Sequence, residues 1–179
     1  MSDGHPDIDA DLARRMRAEQ RELQEVAEAE TENIERAGRV LDEVALEYMQ
    51  RGDTVRIAVG PMAWIGEVVH VGRSVLSLCT TGGAEVDIGL DRLTTLRVVS
   101  RSSSGGRSVL TRDPASLAAR LRDLQRTGER VELGGALVDP PVQGTVRAVA
   151  REHVEVEGHD GAEWVLALSA LDYVIRGDV

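Results

Sequence analysis

The sequence predicts an α+β chain: a long N-terminal helix followed by two tandem copies of one small five-stranded β unit, each copy preceded by a helix. Three observations carry this. Residues 65–99 recur at a constant offset of 78, so that Gly66 falls on Gly144, Val68 on Val146, Val71 on Val149, Arg73 on Arg151, Glu85 on Glu163 and Leu93 on Leu171. Few other identities survive, but the order of glycine, alternating apolar residues and glycine-rich turn does. Within each copy, apolar and polar residues alternate in short runs bounded by Gly, Pro and Asp, the pattern of half-buried strands. Ahead of each copy lies a stretch of helix formers that stops at a glycine, Gly52 in one case and Gly128 in the other.

Taken in order, residues 1–7 are polar and breaker-rich, and disorder is expected there. Asp7, Asp9 and Asp11 start a D-x-D-x-D run, but Leu12 and Ala18 stand where a calcium loop needs Gly and Glu. Carboxylates near a helix N-terminus explain the run. Residues 8–51 contain no Pro. Ile34, Ala37, Leu41, Val44 and Tyr48 step by three and four, which predicts an amphipathic helix over 31–51. Leu12, Met16, Leu23 and Val26 form a thinner stripe among charges, a candidate face for a partner helix in an acidic arm spanning 1–30. Strands are predicted at 54–59, 63–71, 75–80, 85–90 and 95–99. A Ser/Gly/Arg linker over 100–112 follows. Asp113-Pro114 reads as a helix start, with Leu117, Leu121 and Leu124 on its apolar face. The second strand set is predicted at 130–133, 142–149, 153–157, 164–168 and 173–175, Asp139-Pro140-Pro141 lengthening its first hairpin. The domains are thus 1–30, 31–99, the linker 100–112, and 113–179.

Composition narrows the function classes. There is no run of about 18 apolar residues, which argues against a membrane span, and the lone Cys79 cannot make an internal disulfide, which suits the cytoplasm. All 21 basic residues are Arg and Phe is absent, the usage of a GC-rich genome such as an actinobacterial one. The net charge of −10 is uneven. Residues 1–50 hold 14 acids against 6 Arg, residues 101–130 hold 7 Arg against 3 acids, and residues 131–179 hold 9 acids against 3 Arg. A generic nucleic-acid binder needs a dominant basic face, which this balance disfavours.

A helix followed by five short bent strands, with a glycine (Gly66, Gly144) midway along the second, resembles the Sm-like fold of Sm, LSm and Hfq proteins. The resemblance covers 31–99 and 113–177. It implies two small barrels whose fourth and fifth strands expose pairing edges, and RNA binding by rings of them. The functional motif of that family does not carry over. Its Asp, six residues after the glycine, and its Asn, ten after, are Gly72 and Leu76 in one copy and Ala150 and Val154 in the other. The basic-aromatic-His signature of Hfq is missing too.

No catalytic, cofactor or metal residue is expected. His5, His70, His153 and His159 fall in a tail, two strands and a turn, without Cys or His at metal spacing. Cys79, Tyr48 and Trp164 read as core residues. The one basic stretch, Arg101, Arg107, Arg112, Arg120, Arg122, Arg126 and Arg130, is the candidate nucleic-acid contact. The reading that follows is a non-enzymatic cytoplasmic assembly or adaptor protein. It would act through barrel edges and the acidic helix, with a protein partner or a second copy, and the alternative is a nucleic-acid-binding regulator using 101–130.

Overall fold

The computed structural model describes residues 39–103, 105 and 115–177. The candidate helix-partner face, Leu12, Met16, Leu23 and Val26, lies outside the described residues. Helix α1 spans Leu41–Arg51. It buries Ala45 and Met49, with Leu46 and Tyr48 packed beside them. It ends where the sequence predicts: Gly52 takes a φ of 71°, its N–H donates to Met49 O, and Asp53 N–H reaches back to Tyr48 O. This pair of bonds satisfies the last carbonyls of the helix and needs a left-handed residue at the glycine. Helix α2 spans Leu117–Thr127 and also ends at a left-handed glycine, Gly128 with a φ of 67°, whose N–H donates to Leu124 O. It starts at Ser116, whose hydroxyl accepts from Ala119 N–H at 3.2 Å. The predicted start at Asp113-Pro114 lies outside the described residues.

Ten antiparallel strands follow the predicted order closely. The first five are β1 (Thr54–Val59), β2 (Met62–Val71), β3 (Val75–Thr80), β4 (Glu85–Gly89) and β5 (Thr95–Ser100). The second five are β6 (Arg130–Gly135), β7 (Val138–Val149), β8 (His153–Gly158), β9 (Glu163–Ala167) and β10 (Tyr173–Arg176). Single 3-10 turns, Leu90–Arg92 and Leu168–Ala170, precede β5 and β10. Asp139-Pro140-Pro141, expected as extra hairpin residues, runs inside β7, because Gly135 pairs with Val138 and leaves only a two-residue tip. The strands β2 and β7 meet their neighbours most closely at Gly66 and Gly144. A Cβ there would lie 2.0 Å from Cys79 O and 2.2 Å from Glu157 O, so only glycine lets the neighbouring backbone approach. Both strands also carry a register shift just beyond that glycine, at Val68/His70 and at Val146/Ala148.

The expected fold class needs correction. The strands form one open sheet in the order β5-β1-β2-β3-β4-β10-β6-β7-β8-β9, not two separate five-stranded barrels. The described N-terminal helix has 11 residues, not the length expected of a long one. The halves merge because β4 and β10, each an outer strand of its own set of five, pair with one another: Tyr173 with Ile88, Val174 with Asp87, Ile175 with Val86 and Arg176 with Glu85. Strand β10 also pairs with β6. Its alternation therefore serves two cores. Tyr173 is buried with Val55, Ile57, Leu76, Leu78 and Ile88, and its ring meets Trp64 edge-on at 4.9 Å between centroids. Val174 is buried with Leu121, Leu124, Leu133, Val146 and Val154. Among the described residues no helix is long and apolar enough to cross a membrane.

Candidate functional site

Two features stand out: a charged cluster sealing the β4·β10 joint, and two sheet edges left open. The cluster is built around Asp87, which is fully buried on β4. Its period-two position opposite Val174 turns the carboxylate away from the first core and toward α2. There it accepts from Ser77 Oγ on β3 and from Arg176 Nε at 2.8 Å, and it faces Arg120 Nε of α2 at 3.1 Å. Arg176 also binds Glu85. The Arg120 Nε–H is not well aligned for a hydrogen bond, so that contact is chiefly a charge pairing. The other end of the joint is tied by Arg92, whose Nη2 donates to Ser169 O at 2.9 Å and whose Nε stands 3.6 Å from Asp172 Oδ1. Asp172 in turn accepts from Ala136 N–H at 2.7 Å.

A second buried carboxylate, Asp53, ties α1 to the chain leaving β5. It accepts from Arg51 Nε at 2.8 Å and from Ser102 N–H at 3.1 Å. Burial alone would raise this carboxyl, but the bonds from Ser102 and Arg51, with the charges of Arg51 and Arg101, outweigh it and hold the group below its ordinary range. Tyr173 is pushed up by burial, and further by the carboxylates of Glu132, Asp172 and Asp139.

Among the described residues the open edges are β5, which pairs only with β1, and β9, which pairs only with β8. Neither carries a Pro or Lys that would blunt an edge. Strand β9, EWVLA, leaves Trp164 44% and Val165 69% exposed, and Val99 on β5 is 47% exposed. The expectation that Trp164 is core therefore fails. Val86, the residue 78 positions earlier, is fully buried because β10 lies beside it, whereas no described strand covers Trp164. Cys79, also expected as core, is half-buried and lines a small cleft with Glu67 and Thr81.

The basic stretch does not assemble into one surface among the described residues. Arg107 and Arg112 lie outside them. Arg101 is exposed after β5, Arg120 points inward to Asp87, and Arg126 is bound to Asp123 beside the exposed Arg122. Arg130, at the start of β6, lines an open polar groove of about 540 Å³ with Thr145, Arg147 and His159. Among the described residues no three His, Cys, Asp or Glu side chains gather as a metal site would require. Sequence reasoning missed the Asp87 cluster, although an acid inside the apolar run VDIGL was a visible signal.

The chain matches no protein-family model, and no curated protein is significantly similar to it in sequence. Its functional reading rests on its own geometry.

Proposed function

We propose that this protein is a non-enzymatic assembly module of the cytosol that uses β5 and β9 to add strands from a second copy of itself. The observation that carries the reading is the contrast between β4 and β9. Within the tandem repeat they are the same strand, yet β4 is buried by β10 while β9 leaves Trp164 and Val165 in solvent. Strand β5 is in turn the counterpart of β10, so each chain owns both halves of a joint it makes only once. A neighbour's β5 laid on β9 repeats a pairing the fold already contains, and it covers apolar edge residues that water would otherwise face. The shared strand order of the two halves, with their fourth and fifth strands outermost, supports kinship with Sm-like proteins, as does the glycine at a close backbone approach in each second strand. In this proposal the acidic arm adds an adaptor surface through Leu12, Met16, Leu23 and Val26. Nucleic-acid binding through 101–130 is the weaker reading, since Arg120 is engaged by Asp87 and Arg126 by Asp123.

The test is sedimentation velocity of the full chain across the micromolar range. Association that rises with concentration is expected, and Val165→Lys, a charge placed on a solvent-facing edge residue, should leave a monomer with an unchanged melting temperature. A wild-type chain that stays strictly monomeric at the highest concentration would sink the proposal.

A further inference from the structure

The charged cluster over the β4·β10 joint has a counterpart at the free edges in which Asp87 and the two guanidiniums beside it are replaced by apolar residues, and only Glu163, the match of Glu85, keeps a charge. Along the strands the offset of 78 carries Asp87 to Val165, and carries Val98 to Arg176. Along the helices and along β1 and β6 the offset is 76, because Val131 pairs with Gly144 as Val55 pairs with Gly66, and the two extra residues of the second copy fall in the β6–β7 hairpin. That shift sets Gly52 on Gly128 and the buried Ala45 on the buried Leu121, and it sets Val44 on Arg120. The carboxylate and both guanidiniums that face it are thus all valine at the matching positions. A change at only one of the three would strand a buried charge inside a joint; the change at all three leaves only Glu163, which like Glu85 sits toward solvent.

We infer that β9 of one chain pairs with β5 of the next in the register of the internal joint, and that Val165, Val98 and Val44 form the apolar equivalent of Asp87, Arg176 and Arg120. This rests on the assembly reading above and adds what determines its specificity. Transferred from the internal pairs, the register sets Leu166 opposite Thr95, Val165 opposite Leu96, Trp164 opposite Arg97 and Glu163 opposite Val98. The guanidinium of Arg97 then meets the indole of Trp164, a favourable pairing. The two triads also exclude each other. A neighbour's β5 offered to β4 would set valines against the Asp87 carboxylate, and a neighbour's β10 offered to β9 would set two guanidiniums against Val165. Each edge therefore has one matching strand, so chains associate end to end without exchanging their internal joints.

The experiment transplants the charged triad onto the full chain. Val165→Asp alone should weaken self-association at least about a hundredfold by burying an unpaired carboxylate. Adding Val98→Arg and Val44→Arg to the same chain should restore association to within about tenfold of wild type. Sedimentation velocity reads both, and circular dichroism melting confirms that each variant folds. In a separate Cys79→Ser background, Leu96→Cys with Val165→Cys should give covalent multimers on mild oxidation, a readout that does not depend on the charged variants folding. If wild type associates but the triple variant does no better than Val165→Asp and the cysteine pair does not cross-link, the triad and register are overturned while the assembly reading stands. If wild type does not associate at all, both fall together.

Discussion

The Asp87 cluster makes the most demanding prediction about how the ten-stranded sheet is held. In Asp87→Ala the carboxylate disappears while both guanidiniums remain, with side chains only 15% exposed for Arg176 and 12% for Arg120. Ser77 loses the acceptor for its hydroxyl as well. Breaking a buried ion pair from one side costs about 3–5 kcal/mol, because the partner charge is left in a poorly solvated place. Here the retained bond from Arg176 to Glu85 softens the loss, so the lower end, about 3 kcal/mol, is expected. For a domain of this size that is a fall of roughly 10 °C in melting temperature. Urea unfolding of the full chain at low protein concentration measures it. The companion variant is Asp87→Leu with Arg120→Leu and Arg176→Met, which removes all three charges and keeps their bulk. Such replacements are often neutral or stabilising by about 1–4 kcal/mol, so the triple variant should recover most of what Asp87→Ala loses. If Asp87→Ala costs less than about 1 kcal/mol, in the range of an exposed surface pair, the cluster does not secure the joint and the argument is wrong.

Three further outcomes follow from named contacts. The Asp53 carboxyl is held below its ordinary value of 3.8, so its contribution to stability is complete above that value and is lost as pH falls through the lower folded value. Asp53→Asn should flatten that acid limb in urea titrations taken over a pH series, and an unchanged limb would refute the assignment. Gly144→Ala forces a Cβ against Glu157 O and should destabilise by about 3 kcal/mol, the upper range for overpacking, read by the urea midpoint. Leu121→Ala empties a fully buried position where α2 meets the second core and should cost about 2–5 kcal/mol in the same assay, whereas Leu137→Ala, at an 82% exposed hairpin tip, should cost almost nothing.

Most strands and both helix stops were legible because their causes are local. Alternation at Thr54–Val59 or His153–Gly158 needs only the chain's own residues to declare a buried face, and Gly52 and Gly128 end helices through bonds a few residues long. The joining of the halves was not legible, because it depends on which outer strand meets which. Glu85–Gly89 and Glu163–Ala167 present similar patterns, yet one lies inside the sheet and the other at its rim. The Asp87 cluster was hidden because its members come from β3, β4, α2 and β10, and the residues that pair there are up to 91 apart.

Trp164 shows what a local pattern cannot contain. Its match to Val86 predicts a core residue, and the prediction is sound for any strand that has neighbours on both sides. The exposure of Trp164 follows from a missing neighbour rather than a different sequence, since its own strand keeps the apolar composition of a covered one. Evolution ordinarily marks a solvent edge with charge, proline or a short strand, and the five residues EWVLA carry one acid and none of the other devices. A strand composed like a covered strand, with a counterpart of its missing neighbour at the far end of the same sheet, is what an end-to-end contact between copies requires. The replacement of Asp87, Arg176 and Arg120 by Val165, Val98 and Val44 fits the same logic. A joint made within one chain forms at high effective concentration and tolerates the desolvation cost of a buried charge cluster. A joint made between chains starts without that advantage, and an apolar contact gives it the more favourable balance of burial over desolvation.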